Sequence, residues 1–414
     1  MAHILLLTPQ LPYPPHQGTS LRNWHILRGL AERHTVSLLS FAETNPAHLP
    51  ALLTELCARV ETVPAPQRTT AQRLSHLLRR GSPDMAQRLA SDALATALQR
   101  HLATEPPDIV QVEGLEMAHT IPTIRAHSRA VVVLDCHNAE TELQRRAYQT
   151  DTRQPRRWAA AAYSRIQIGR LAEYERWAMI AADGVVAVSE ADAAQLATLR
   201  TEGEGPIRVV PNSIDVNEYV LGQTIARAEQ QFDLVFSGKM DYRPNVDAVL
   251  WFADAVWPGL RQARPNITWA IVGQRPHAQL DRLRTVPGIT ITGRVEQVQP
   301  YLAGANVIIM PLRIGSGTRL KLIEGMAGGK AIVSTPLGAE GFPVRDGEQL
   351  VLAVTPDEWS AEIQRLLDDA TLRRTLGQAA RDFAQAYDWR VVVPRFDTIY
   401  DDLLRRDDPP RQAA

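Results

Sequence analysis

Short apolar runs alternate with longer stretches of helical periodicity along nearly all of the 414 residues. That alternation constrains the fold more than any other feature. A strand that is apolar on both faces must be covered by helices on both, which is the condition for a parallel α/β sheet. One series of runs comprises Ile4–Leu7, Val36–Leu39, Ile109–Val112, Val131–Leu134, Gly184–Val188 and Ile207–Val210. A second begins after residue 230: Leu234–Phe236, Thr268–Val272, Ile289–Thr292, Val307–Met310, Ala331–Ser334 and Leu350–Ala353. The polar stretch Gln223–Gln231 lies between them, so the expected domains are 1–222 and 223–388. A last helical pattern, Pro394–Arg406, follows the second domain; this helix, about 390–406, is expected to pack back on the first. The length itself exceeds what one core organises. The two series are alike in style, but no residue-level repeat links them.

Composition excludes several classes. A formal net charge of −1 provides no field to recruit nucleic acid. Two cysteines, Cys57 and Cys136, offer neither a disulfide framework nor zinc-ligand spacing, which fits a reducing cytoplasm. The apolar run at Ile4 is too short for a signal segment or a membrane span, and none of spanning length follows it.

In open parallel sheets ligands bind beyond the carboxyl ends of the strands. Two such domains facing one another would line a cleft with strand-end loops, and the informative residues belong there. After the run Val307–Met310 the chain reads Pro311-Leu-Arg-Ile-Gly315-Ser316-Gly317-Thr318-Arg319-Leu-Lys321-Leu-Ile-Glu324, a glycine-bearing turn into a helix opening near Thr318. Glycines let backbone amides approach an anion, and a helix start presents free N–H groups to it. Arg319 and Lys321 add fixed charge, and Glu324 is the kind of acceptor that grips ribose hydroxyls. Together these parts describe a nucleotide-shaped site.

This segment, extended through Ala331–Gly341, closely resembles the donor region of the family 4 glycosyltransferases, whose GT-B fold pairs two Rossmann-like domains. It is most similar to the bacterial branch with a G-[SG]-G-T-[RK]-x-K-x-x-E turn. The likeness extends through Phe236–Asn245, Ile271–Gly273 and Ile291–Val295, and so across the C-terminal domain. The resemblance implies that Lys239 meets the donor diphosphate. It implies that backbone groups of Arg294 and Val295 read the base, which leaves uridine against guanosine open. Two positions depart from the pattern. Asn245 stands where the family has a second cation, a charge that Arg319 and Lys321 could replace. Ser316 stands where many relatives have a glutamate facing the transferred sugar. Gly317 and Thr318 complete the expected donor turn.

The N-terminal domain matches more loosely. Pro12–Ser20 is not the GxGxxG turn of dinucleotide binders. It resembles the family's glycine loop, in which Gly18 brings amides against the donor phosphate; a plain proline–glycine loop is the alternative. Asp135-Cys-His137-Asn138 follows the run Val131–Leu134, and the resemblance puts His137 near the reacting sugar. Val210–Asp215 reads as a structural turn toward a hinge. Arginine-rich stretches at Arg68–Arg88 and Gln144–Arg176 are either solvated helix faces or contacts to an anionic membrane.

The resemblance implies a retaining transfer without metal or cofactor, from a nucleotide sugar to a glycan or lipid-linked acceptor in cell-surface polysaccharide or glycoconjugate synthesis. The location it implies is cytoplasmic, peripheral at the inner membrane face. No metal-binding DxD pair occurs at a strand end. A sugar-nucleotide epimerase and a scaffold with weak or lost turnover are the rival readings.

Overall fold

The computed structural model describes residues 1–15, 18–42, 49–68, 83–152, 158–201, 203–219, 231–315 and 317–407. Its contacts group into two compact units, Met1–Ser213 with Trp389–Ala414 and Ile214–Asp388. The expected boundary at residues 222 and 223 falls outside the described residues.

The first unit is built on a seven-stranded sheet: β1 His3–Thr8, β2 Thr35–Ala42, β3 Arg59–Pro64, β4 Ile109–Glu113, β5 Val131–Cys136, β6 Gly184–Ala187 and β7 Ile207–Val209. The spatial order is β3-β2-β1-β4-β5-β6-β7 and every pairing is parallel. Strand β1 shows why such runs are apolar on both sides. Ile4 and Leu6 face one core, shared with Trp24, Trp389, Phe396 and Tyr400, while Leu5 and Leu7 face the other. The chain's last helix, Pro394–Asp407, therefore belongs to the packing of the first sheet.

Strand β3 was not expected. Its sequence, RVETVP, mixes polar with apolar residues without a continuous apolar run, and only Val63 is buried. An edge strand covered less completely needs no continuous apolar run, so it lacks the signal that marks its neighbours.

The second unit holds a six-stranded parallel sheet: β8 Phe232–Ser237, β9 Trp269–Val272, β10 Ile289–Gly293, β11 Ala305–Met310, β12 Ala331–Ser334 and β13 Val351–Leu352. Its order is β10-β9-β8-β11-β12-β13. Its core gathers Phe236, Phe252, Trp257, Trp269 and Trp359. Each sheet reverses its strand order once, between β1 and β4 in the first and between β8 and β11 in the second. Crevices open at such reversals. Both units are Rossmann-like, and the fold is GT-B.

Candidate functional site

In the second unit the switch point brings together two loops that are far apart in sequence. Strand β8 ends at Ser237, and Gly238-Lys239 leads toward the helix Arg243–Ala255, which carries Asn245. Strand β11 ends at Met310, and its loop leads to the helix Leu320–Ala327. The helix begins two residues later than the sequence suggested. Arg319 stands at its N-cap position without a side-chain capping bond, and Gly315 and Gly317 take positive φ values of 118° and 81°, a backbone turn suited to glycine. Ser316 lies outside the described residues.

Lys321 projects from this helix onto the β8 loop. Its Nζ donates to Asn245 Oδ1 at 2.7 Å, and Asn245 Nδ2 donates to the Lys239 carbonyl at 2.9 Å. The ammonium lies 4.6 Å from the Phe236 ring centroid. A side chain at Gly238 would put its Cβ 2.7 Å from both Lys321 Nζ and Asn245 Nδ2, so only glycine leaves this approach open. Burial pushes the Lys321 ammonium from 10.5 down to about 7, the buried Arg319 guanidinium adds to the depression, and Glu324 opposes it. A cation held this way gains much from an incoming anion. The position where relatives carry a second cation is thus occupied by an amide that holds the helix's own lysine.

Glu324 accepts from the buried Tyr219 hydroxyl. Burial raises its carboxyl, while Tyr219 and Lys321 pull it down. Sequence reading missed Tyr219, which is 105 residues away and carries no motif. Lys239 extends to the surface, 3.6 Å from Asp241. Arg294, exposed, and Val295, half-buried, follow β10.

The first unit presents a second polar cluster at the carboxyl ends of β4 and β5. Register places Glu113 beside Asp135, and His137 follows β5. His137 Nε2 lies 2.9 Å from Glu113 Oε2, and Gln111 Nε2 donates to Glu113 Oε1 at 2.5 Å. Asp135 takes a two-pronged contact from Arg22, from Nε and Nη2, each at 2.9 Å. Arg22 also donates to the carbonyls of Val210 and Pro211 at 3.0 and 3.1 Å. It sits on the helix that Gly18 opens, Gly18–Ala31, and so ties that helix to β5 and to the loop after β7. The His25 ring meets the Ser213 carbonyl at 2.9 Å, consistent with a structural turn there. Burial works against the His137 imidazolium, but the Glu113 hydrogen bond and the Asp135 charge outweigh it, so its pKa is raised. Glu113, Asp135 and His137 place ligand atoms within 4.8 Å of one another. Each carboxylate also accepts from a proton donor, Glu113 from Gln111 and Asp135 from Arg22, so the trio forms part of a hydrogen-bond network.

Next to His137, Glu140 opens the helix Glu140–Thr152 and accepts from Asn138 Nδ2 at 2.9 Å. Burial raises its carboxyl from 4.5 to about 7; Asn138 opposes that, and Glu116 and Glu175 reinforce it. Of the two arginine-rich stretches, residues 69–82 and 153–157 lie outside the described residues. In the remainder, Arg68 pairs with Asp84, and Arg145 and Arg146 pair with Glu142. The exposed face of the helix Trp158–Ala181 bears Trp158, Ile166, Trp177 and Ile180. No helix among the described residues is long and apolar enough to cross a membrane.

Paired Rossmann-like units with polar loops at both switch points define the GT-B class of glycosyltransferases. Residues 17–218 match the profile described as Glycosyltransferase Family 4, and residues 231–369 match that of Glycosyl transferases group 1. The chain belongs to the family 4 glycosyltransferases. It is similar to a phosphatidyl-myo-inositol mannosyltransferase of Mycobacterium tuberculosis, 29% identical over 206 residues, 46% of this chain and 53% of that one. It is also similar to a D-inositol 3-phosphate glycosyltransferase of Corynebacterium aurimucosum, 30% identical over 111 residues, 26% of each chain. The chain spans about half the length of the mannosyltransferase, and between 26% and 56% of other curated relatives. Among solved structures, sucrose-phosphate synthase from Thermosynechococcus elongatus aligns over 98% of this chain and 100% of its own, with a TM-score of 0.71 and 17% identity. HepE of Anabaena in complex with UDP aligns over 96% and 99%, with a TM-score of 0.66 and 16% identity.

Proposed function

We propose that this protein transfers a sugar from a nucleoside-diphosphate sugar to an acceptor hydroxyl, with retention at the anomeric carbon and without a metal. The observation that carries this reading is Lys321, a depressed cation over the glycine loop of β8, beside Arg319 and Glu324. A diphosphate leaving group needs positive charge already in place, because stabilising charge that develops in the transition state is the largest catalytic term such a site can supply. In this reading Lys239, Arg319 and Lys321 neutralise the diphosphate, and Glu324 grips the ribose. Gly317 and Thr318 present the turn to the phosphate, and backbone groups of Arg294 and Val295 meet the base. His137 acts at the sugar.

The mannosyltransferase relative, whose name specifies a phosphatidyl-inositol, supports a lipid-linked or glycan acceptor. The aromatic face of Trp158–Ala181 supports peripheral contact with an anionic membrane. Incubation with UDP- and GDP-sugars and a panel of acceptors tests the reading. Nucleoside diphosphate should appear only when donor and acceptor are both present, and the product's anomeric coupling in NMR should match the donor's. Release independent of acceptor, or inversion, would refute it.

A further inference from the structure

The hydrogen bond between His137 and Glu113 is the end of a longer chain that starts on the last helix. Tyr400, fully buried on Pro394–Asp407, donates its hydroxyl to Gln111 Oε1. That contact fixes the Gln111 amide, since its oxygen is used and its nitrogen must point the other way, toward Glu113 Oε1 at 2.5 Å. Glu113 therefore receives a proton donor on one oxygen and offers the other to His137 Nε2 at 2.9 Å. Gln111, Glu113 and Tyr400 are all at most 1% exposed, so no bulk water competes for these contacts.

We propose, on the basis of the transferase reading, that Glu113 is the positioning residue of His137, oriented by Tyr400 through Gln111. Burial and the Asp135 charge raise the Glu113 carboxyl, while His137 and Arg22 hold it down; once ionised it has only acceptors to offer, and His137 then carries its proton on Nε2. Nδ1 is then the atom turned to the ligand. The sense of the relay is set by chemistry: a tyrosine hydroxyl on a glutamine oxygen leaves a donor for the carboxylate, and the carboxylate leaves an acceptor for the imidazole. The charged groups around His137 are Glu113 on β4, Asp135 on β5, Arg22 on Gly18–Ala31 and Glu140 on Glu140–Thr152. Arg22 is held by Asp135, so Glu113 is the carboxylate left facing the imidazole.

Nitrogen-15 spectra of labelled full-length protein with its histidines assigned test the proposal directly. In wild type above the His137 pKa, Nε2 should show the protonated shift and Nδ1 the unprotonated one. In Glu113→Gln, the Gln111 amide holds the new side chain's oxygen and turns its NH2 toward the ring. The tautomer should then reverse, the His137 pKa should fall by at least one unit, and kcat should drop at least tenfold with the donor KM within twofold. Glu113→Asp keeps a charged acceptor and should retain the wild-type tautomer with a smaller loss of kcat. Should the glutamine variant not fold, Tyr400→Phe, which frees Gln111 to rotate, should lower kcat and mix the two tautomers. A wild-type ring protonated on Nδ1, or a Glu113→Gln protein with unchanged tautomer and kcat, overturns the proposal. Wild type inert toward every donor and acceptor would sink the transferase reading instead, and the tautomer spectra would still decide whether Glu113 sets His137.

Discussion

Lys321 Nζ donates to Asn245 Oδ1 across 76 residues of sequence, and this one contact joins the two loops of the second unit's switch point. It keeps a cation at a place where burial holds its pKa near 7. A bound diphosphate would restore the charge, so binding above pH 7 should take up a proton. Calorimetry in buffers of different ionisation enthalpy at pH 8 should reveal that uptake for UDP or GDP, and affinity should fall as pH rises through 7. Lys321→Ala should abolish the uptake and weaken binding by about 1.5–3 kcal/mol, the scale of a charge-assisted hydrogen bond. Equal affinity and equal proton uptake in the variant would remove Lys321 from the site.

The same contact explains a second expectation, at Gly238. An added methyl would meet Lys321 Nζ and Asn245 Nδ2, both at the ends of side chains that can move aside. Gly238 also holds a φ of 150°, which L residues rarely adopt, so Gly238→Ala strains the backbone as well as displacing the cation. We expect nucleotide affinity to fall at least tenfold together with a clear drop in melting temperature. A loss of stability with normal affinity would show that the glycine serves packing instead.

Glu140 predicts a pH effect of definite sign. Its carboxyl titrates at about 7 in the fold against an ordinary 4.5, despite its place in a helix first turn, where the dipole favours the anion. Raised in the fold, it contributes stability that is present below pH 4.5 and lost as pH rises through 7. Glu140→Gln should melt with wild type near pH 4.5 and above it at pH 8, by roughly 1–3 kcal/mol. Thermal denaturation at the two pH values checks this, and a variant less stable at pH 8 would show that the ionised carboxylate is needed.

These relationships also mark what the sequence could tell. Buried parallel strands announce themselves, because residues such as Ile4–Leu7 and Val307–Met310 must be apolar on both faces. The edge strand Arg59–Pro64 carries no such demand and gave no signal. The glycine turn before Leu320 is legible because conformation and charge are written in adjacent letters. The partners Asn245 with Lys321, Tyr219 with Glu324, and Glu113 with His137 are not. Each depends on which strands lie side by side, and the register Glu113 to Asp135 is a property of the folded sheet. Glu113 could have been suspected only as a carboxylate ending the buried strand Ile109–Glu113, in which Gln111 is the other polar residue.

The helix Trp158–Ala181 bears on where the acceptor is met. Trp158, Ile166, Trp177 and Ile180 are exposed, together with Arg165 and Arg176. At 3.6 residues per turn all six fall within about a third of the circumference, so they form one face rather than a scatter. Tryptophan and isoleucine flanked by arginine suit the boundary between headgroups and acyl chains, where the rings are buried and the guanidinium groups meet phosphate. Glu173 on the same side and the Arg176–Glu204 contact at 3.9 Å subtract from the positive charge, so in the proposed membrane contact the apolar residues would supply most of the affinity. Vesicles rich in phosphatidylglycerol should therefore sediment the protein at low salt, with partial release as salt rises through screening. Trp177→Ala combined with Ile180→Ala should weaken that binding at least tenfold while leaving nucleotide affinity unchanged. Failure to sediment with anionic vesicles, or no effect of the double substitution, would mean that this face is merely solvated; equal sedimentation with neutral vesicles would remove the preference for anionic headgroups.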